Sequence, residues 1–373
     1  MDLYIDRDAL SRGLGRVQNI VERRSTKPIH AHVLLHAANG MLRLTATDSQ
    51  VAYIGDIEAN VESPGDLTVD AASFFQIAKA LPEATVRLAI ATGNRLEITC
   101  GRAFFRLPGA PASEYPALPA FDESGRASVT EAVLHRVVNQ SAFAVSADDN
   151  RYGINGAYVQ AVDHADGPRL RMVGTDGHRL AAAEGPYEGS VAITERKLIS
   201  RKALAVIKRL LDPNSEDPVE LVFGEGSLKV SKPGHTFWFR LIDGEFPPYE
   251  RVLPDGVAKH RMRIRKEELA ASIRRVGILV HERVRAVKFA FEGSELVIHA
   301  YSVDRGEVTE SLPIELEGEA VTAGFNARYL GDVLDVVFGE YVTLELAHAL
   351  AACVIRDPDR DDGFFVVMPM RLD

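Results

Sequence analysis

The sequence predicts an α+β protein built of three tandem similar domains, each with two amphipathic helices packed on antiparallel sheets. Three observations carry that expectation. The chain has 373 residues, more than the roughly 250–300 at which a single hydrophobic core stops growing. One pattern, helix, strand hairpins, second helix, strand hairpins, occurs three times along it. Corresponding helices start near residues 7, 130 and 265, and again near 70, 200 and 326, so the unit is about 124 residues long, a common domain size.

In the first repeat, apolar residues at three- and four-residue steps predict a helix from Arg7 to Val21, then a strand from Leu42 to Asp48 and a helix from Asp70 to Pro82. Alternation over residues 85–100, broken by a glycine-containing turn, predicts a hairpin. The proline-rich stretch Pro108 to Pro119 then marks a seam, because proline holds itself and its predecessor in extended or turn geometry. The second repeat has helices from Thr130 to Val145 and Ser200 to Pro213, a strand from Leu170 to Asp176, a hairpin over 219–231, and a seam from Gly244 to Pro254. In the third, Leu269, Ile273 and Val276 place one apolar face on a helix from Arg265 to Val280. A strand from Leu296 to Asp304, a helix from Asn326 to Gly339 and strands over 341–355 follow. The expected domains are 1–121, 122–255 and 256–373.

Composition narrows the function classes. With 46% apolar and 26% charged residues the chain matches globular usage rather than disorder. No apolar stretch approaches the roughly 20 residues of a spanning helix, and the amino terminus carries acids where a secretion signal is basic, so a soluble, cytoplasmic protein with no membrane partner is expected. Cys100 and Cys353 lie far apart among apolar neighbours without metal-ligand spacing, which predicts buried reduced thiols. The net charge of −10 argues against nucleic-acid binding until its distribution is examined. Residues 196–209 hold Arg196, Lys197, Arg201, Lys202, Lys208 and Arg209 and no acid, and residues 259–288 carry a net +7. Removing those thirteen positive charges leaves −23 on the remainder. Arg201, Lys202, Lys208 and Arg209 form one ridge opposite Leu204, Ile207 and Leu211, and Arg7, Arg12, Arg16, Arg274 and Arg275 add cationic character to two other helices.

Two clusters invite a chemical reading. The run from Asp357 to Gly363 resembles a calcium loop but places glycine at the seventh position and Met368 at the twelfth, where glycine at the sixth and a glutamate are required, so a solvated hairpin loop is expected. Thr175 to Leu180 gathers Asp176, His178 and Arg179, yet no GxSxG, Walker, HExxH or dinucleotide fingerprint accompanies it. The residues alone therefore predict a structural turn, with no catalytic residue, metal or cofactor. The carboxyl end, Phe364 to Asp373, is apolar and methionine-rich, which fits either a core strand or a groove for an apolar partner.

Together the triple repeat, TDGHRLA at Thr175 to Ala181, RYxxNG at Arg151 to Gly156, GxFPPYxRVLP at Gly244 to Pro254, GFNxxYL at Gly324 to Leu330 and VVMPMRL at Val366 to Leu372 resemble the bacterial DNA polymerase III beta subunit family, the sliding clamps. The resemblance spans the whole chain. It implies a DNA-clamp fold in a ring-forming head-to-tail homodimer, with helices inside and sheets outside, that encircles double-stranded DNA without sequence specificity and tethers the replicative polymerase. The expected partners are the polymerase alpha subunit, the clamp-loader delta subunit, and other polymerases and repair proteins bearing short clamp-binding motifs.

By position, the resemblance assigns Ile154, Thr175, Gly177, His178, Arg179, Leu180, Pro247, Val252, Val366 and Met368 to a hydrophobic peptide subsite. Arg151, Asn326, Tyr329, Leu350, Pro369, Met370, Arg371 and Leu372 extend it. Phe105 and Leu107 would meet Ile278 and Leu279 of the next subunit, and Arg24 and Tyr152 would join the basic helix residues 196–209 in contacting DNA. The chain departs from the family pattern at Gly153, where a second tyrosine is common, at Asp148 and Asp149, at Ala72 and Ser73, and in ending on Asp373. Two other classes compete: a hydrolase using His178 and Asp176, which lacks a nucleophile, and a protein-interaction scaffold of repeated domains that binds no nucleic acid.

Overall fold

The structure is a computed structural model, described here for all residues but 22–26, 83–84, 119–120, 122, 149, 152, 191–196, 255–257, 281–285 and 373, and without the side chains of Ser190 and Lys197. Among the described residues six α-helices form where the periodicity places them: α1 (Arg7–Val17), α2 (Ala71–Ala80), α3 (Glu131–Ala142), α4 (Arg201–Leu210), α5 (Lys266–Gly277) and α6 (Ala327–Leu334). Side-chain caps begin α1, α2, α4 and α6. Asp6 accepts from the Ala9 amide at 2.8 Å, Asp70 from Ser73 at 2.8 Å, Ser200 from Ala203 at 3.2 Å and Asn326 from Arg328 at 3.0 Å. Each cap satisfies one orphan amide of the first turn and stabilises the helix by about 1 kcal/mol.

Helix α1 stops at Val17 rather than Val21, because the Gln18 side chain turns away to donate to the Ala71 carbonyl at 2.9 Å and the Asn19 and Ile20 amides close shorter turns. Helix α6 stops at Leu334 rather than Gly339, where the Val336 and Val337 amides both bond the Val333 carbonyl and the β-branched pair disfavours continuation. Gly13, inside α1, permits close packing: a Cβ there would lie 2.5 Å from Ile57 Cδ1.

Every described strand pairing is antiparallel, and contacts divide the chain into two compact units. The first unit holds residues 1–131, 188–192 and 215–241 and a fourteen-stranded sheet. Its core is built on Leu3, Leu10, Leu14, Leu35, Leu44, Phe74 and Leu88. The second holds 132–187, 193–214 and 242–373, with a nine-stranded and a four-stranded sheet. The middle repeat is shared because each of its sheets continues into a neighbour. His235–Arg240 pairs with Val51–Glu58, and Arg179–Pro186 pairs with Gly363–Val367 in the register Leu180 opposite Val366. Cys100 and Cys353 are free and buried, as their apolar surroundings predict, and burial lifts the Cys353 thiol to about 12.

The first of these joins carries a titratable group. His235 faces Gly55 across the ladder, and its Nδ1 meets the Tyr53 hydroxyl at 3.1 Å, in room that a Cβ on Gly55 would close. Burial, reinforced by Arg16 and Lys232 and opposed by Asp56, lowers His235 to about 4. A base whose folded pKa is depressed stabilises the neutral state. That contribution is complete above the unfolded value near 6.5 and is lost as pH falls toward 4. The melting temperature is therefore expected to drop between pH 7 and 4.5, and to drop less in His235→Gln. An equal slope in both proteins would remove His235 from the account.

Candidate functional site

The turn at Thr175 to Arg179 links two core strands, Gly167–Thr175 and Arg179–Pro186. Asp176 organises it, accepting from the amides of His178 at 3.0 Å and Arg179 at 3.1 Å, while Thr175 Oγ1 donates to the Arg179 carbonyl at 2.7 Å and accepts from the Gly177 amide at 3.1 Å. Gly177 sits at φ +84°, and a Cβ there would press on the Arg151 guanidinium at 3.0 Å. Arg151 in turn donates to the Asp176 carbonyl at 2.7 Å. Thus Asp176 is consumed by turn geometry and the Arg179 side chain, and is not placed as a general base.

Leu180, immediately after the turn, points into a compact apolar cluster with Ile154, Val366, Val173, Phe246, Tyr249, Ala352 and Phe364, with Leu253 packed against it. The turn therefore sets polar groups at the rim of an apolar floor. Pro247, Val252, Leu350, Met368 and Leu372 are exposed, Leu350 by 62% and Met368 by 38%. The carboxyl segment bears out the core-strand expectation over Gly363–Val367, and the chain then leaves the core. It stays tied down, the Met368 amide donating to the His178 carbonyl at 2.9 Å and the Met370 amide to the Gly324 carbonyl at 2.8 Å. A Cβ on Gly324 would lie 2.6 Å from that Met370 carbonyl and 2.8 Å from the Leu372 side chain, so glycine is what admits the tail.

Tyr329, on α6, lies nearly parallel to His178 with ring centroids 6.2 Å apart, and the Arg179 guanidinium stands 4.6 Å from the Tyr329 ring and 5.2 Å from Phe143. Asn326, which the resemblance places beside it, is occupied as the cap of α6. Backbone bonds, shared packing and ring contacts thus bring together Arg151, Ile154, Thr175, Gly177 to Leu180, Val366, Met368 and Tyr329.

Of the expected DNA residues, Arg24, Tyr152 and Arg196 lie outside the described residues, as do Asp149 and Asp373, and the Lys197 side chain is likewise not described. Helix α4 is described fully: Leu204 and Ile207 are buried with Leu211 just beyond, and Arg201, Lys208 and Arg209 are exposed. The other cationic faces are weaker than the sequence suggests. Glu310 grips Arg275 at 2.6 Å, Arg7 pairs with Asp8 at 2.8 Å, and Arg16 faces Tyr53 and His235. Glu310, Tyr53 and His235 sit on other elements, invisible to a helical wheel, whereas Asp8 is the next residue of α1 itself.

The acidic run 357–362 is, as expected, an exposed hairpin loop, joining strands Cys353–Arg356 and Gly363–Val367, and some of its carboxylates also find partners. Asp362 pairs with Arg136 of α3 at 2.8 Å, Asp361 with Arg169 at 3.2 Å, and Asp357 accepts from the Gly339 amide at 2.9 Å. Asp361 and Asp362 thus tie this loop of the last repeat to the middle one.

Phe105 is 37% exposed on strand Ala103–Ala110, which along 103–108 pairs on one side only. Leu107 is half-buried on the same strand. Ile278 is 69% exposed at the end of α5, with Leu279 half-buried beside it. Phe104, Tyr301 and Val303 are exposed apolar residues that sequence periodicity did not single out, since each sits where alternation alone gives no sign of a missing partner.

A triply repeated α+β fold, an apolar floor rimmed by a rigid polar turn, and a cationic helix face define a non-enzymatic binding protein of the clamp type. Models of the N-terminal, central and C-terminal domains of the DNA polymerase III beta subunit match residues 1–119, 128–248 and 250–371. The chain belongs to the DNA polymerase III beta subunit family and is a non-catalytic accessory subunit, a processivity factor. It is 34% identical to the beta sliding clamp of Caulobacter vibrioides and 32% identical to that of Vibrio cholerae, with both chains of each pair fully covered. Among solved structures it resembles a Caulobacter crescentus beta sliding clamp (TM-score 0.93, 34% identity) and a Bartonella birtlesii sliding clamp bound to griselimycin (TM-score 0.95, 30% identity), again over 100% of each chain. No described helix is long and apolar enough to cross a membrane.

Proposed function

We propose that two copies of this chain close head to tail into a ring around double-stranded DNA in the cytoplasm, slide on it without reading sequence, and tether polymerases through the apolar floor at Leu180. The observation that carries the reading is full-length membership of the sliding-clamp family joined to this site: buried anchors Ile154, Leu180 and Val366 under a rim of His178, Tyr329 and Met368. Relatives bound to griselimycin, a peptide-like ligand, are in keeping with such a site. The proposed partners are the replicative polymerase alpha subunit, the loader delta subunit, and other polymerases and repair proteins that present short peptides, polar first and apolar last. The half-exposed strand Ala103–Ala110 and the outer strand Gly306–Pro313 of the four-stranded sheet are edges suited to pairing between copies. The proline-rich seams support domain limits at 1–121, 122–255 and 256–373, close to the matched spans.

Enclosure makes weak contacts sufficient. The Arg201, Lys208 and Arg209 face of α4 would attract phosphates without contacting base edges, while the acidic remainder of the molecule repels DNA elsewhere. Protein loaded on a nicked circle is expected to stay bound through gel filtration at moderate salt and to be lost within the dead time once the circle is linearised. Equal retention on the two forms would refute encirclement.

A further inference from the structure

We infer that Asp332, on α6, positions the peptide site by locking the Arg179 guanidinium beneath Tyr329. This rests on the reading of that site proposed above. Arg179 is 10% exposed and uses its whole fork. Nε donates to Asp176 Oδ2 at 3.1 Å, Nη2 to the Phe143 carbonyl at 3.0 Å, and Nη1 to the Asp332 carboxylate, which also lies 3.8 Å from Arg328.

The two carboxylates do different jobs. Asp176 belongs to the same turn as Arg179 and travels with it, so it cannot fix the guanidinium against α6. Asp332 can, because it stands one helical turn after Tyr329 on the same face of α6. The plane that results is held 4.6 Å from the Tyr329 ring, and that ring lies within 16° of parallel to His178. A cation on an aromatic face restricts the ring's tilt. The rim over Leu180 is therefore set by a charge that no peptide need touch.

Asp332 is also open to water. Its side chain is 30% exposed and borders two clefts of roughly 400 and 450 Å³, one between α5 and α6, the other between α6, α3 and the α4 cations Arg201 and Lys208. A lone buried carboxylate would be needed for folding. One with solvent on both flanks can be neutralised while Arg179 keeps Asp176 as counter-ion, so the expected effect falls on geometry rather than on stability.

The test measures binding of a synthetic octapeptide ending in Leu-Phe to the full-length protein by calorimetry, with melting temperature recorded alongside. Asp332→Asn is expected to weaken binding about tenfold while shifting the melt little. Asp332→Glu, which restores the charge, is expected to recover most of it, and Arg328→Gln, which removes the cation 3.8 Å from Asp332, is expected to change nothing. Unchanged affinity in Asp332→Asn, with loss in a Leu180→Ala, Met368→Ala protein, would overturn the positioning role and leave the peptide site standing. Unchanged affinity in both would overturn the site itself. Equal weakening by Arg328→Gln, or no recovery by Glu, would assign the effect to general damage to α6 and also overturn the proposal. If Asp332→Asn melts far below the parent, the Glu variant decides: native melt with native affinity supports the role, native melt with tenfold weaker binding refutes it.

Discussion

Ile278→Asp converts the protein to a single-chain species in sedimentation and abolishes its retention on circular DNA. Ile278 is 69% exposed at the carboxyl end of α5, and the Arg305 guanidinium reaches its carbonyl, which brings the hairpin tip bearing Tyr301 and Val303 alongside. Tyr301 is 67% and Val303 85% exposed, so three large apolar side chains crowd one end of the four-stranded sheet. Contiguous apolar surface of this kind marks an interaction site. A carboxylate placed there and then covered costs on the order of 3 kcal/mol if left unpaired. A closed head-to-tail pair contains the same seam twice, so the cost doubles, and a shift of at least about 10⁴ in the dimerisation constant is expected. Since Ile278 lies outside the core, the melting temperature of the separated chain should match the parent's core stability. A variant that still sediments as a dimer would place the seam elsewhere.

The parts of the molecule that sequence made legible are those decided locally. Asp70, Ser200 and Asn326 declare helix starts because a short oxygen-bearing side chain at that spot can reach an amide two or three residues on. The strands before Thr47, Thr175 and Ser302 announce themselves by β-branched and apolar content. The Thr175–Arg179 turn is likewise local, and its hydrogen bonds explain why aspartate and glycine stand there. What stayed hidden is set by partners far along the chain. Asp332 meets Arg179 across 153 residues, Glu310 removes Arg275 from the cationic surface, and Asp362 spends its charge on Arg136. Periodicity also does not separate Leu180 from Ala182 two residues on, and both are buried in one apolar cluster. Leu180 is singled out by the family resemblance alone, and the structure adds that the turn before it holds the Met368 amide and lies beside the Tyr329 ring.

Leu180→Ala with Met368→Ala weakens binding of a Leu-Phe-ended peptide by about a hundredfold and leaves the dimer intact. The two substitutions act differently, which lets binding be told apart from folding. Leu180 is 3% exposed among Ile154, Val366 and Phe246, so truncating it opens a cavity and costs stability, in the range of about 2–5 kcal/mol for a buried leucine. Met368 is 38% exposed, with only its amide engaged by the His178 carbonyl. Removing its side chain costs little stability but strips the thioether wall from which an apolar anchor would gain contact. Each truncation is expected to remove about 1–2 kcal/mol of binding, which together gives the hundredfold change. Met368→Ala alone is thus the sharper measurement: roughly tenfold weaker by calorimetry, with an unshifted melt and an unchanged sedimentation coefficient. If its affinity equals the parent's while only the Leu180 variant loses binding in step with stability, the floor at Leu180 is plain core and the partner site lies on another face.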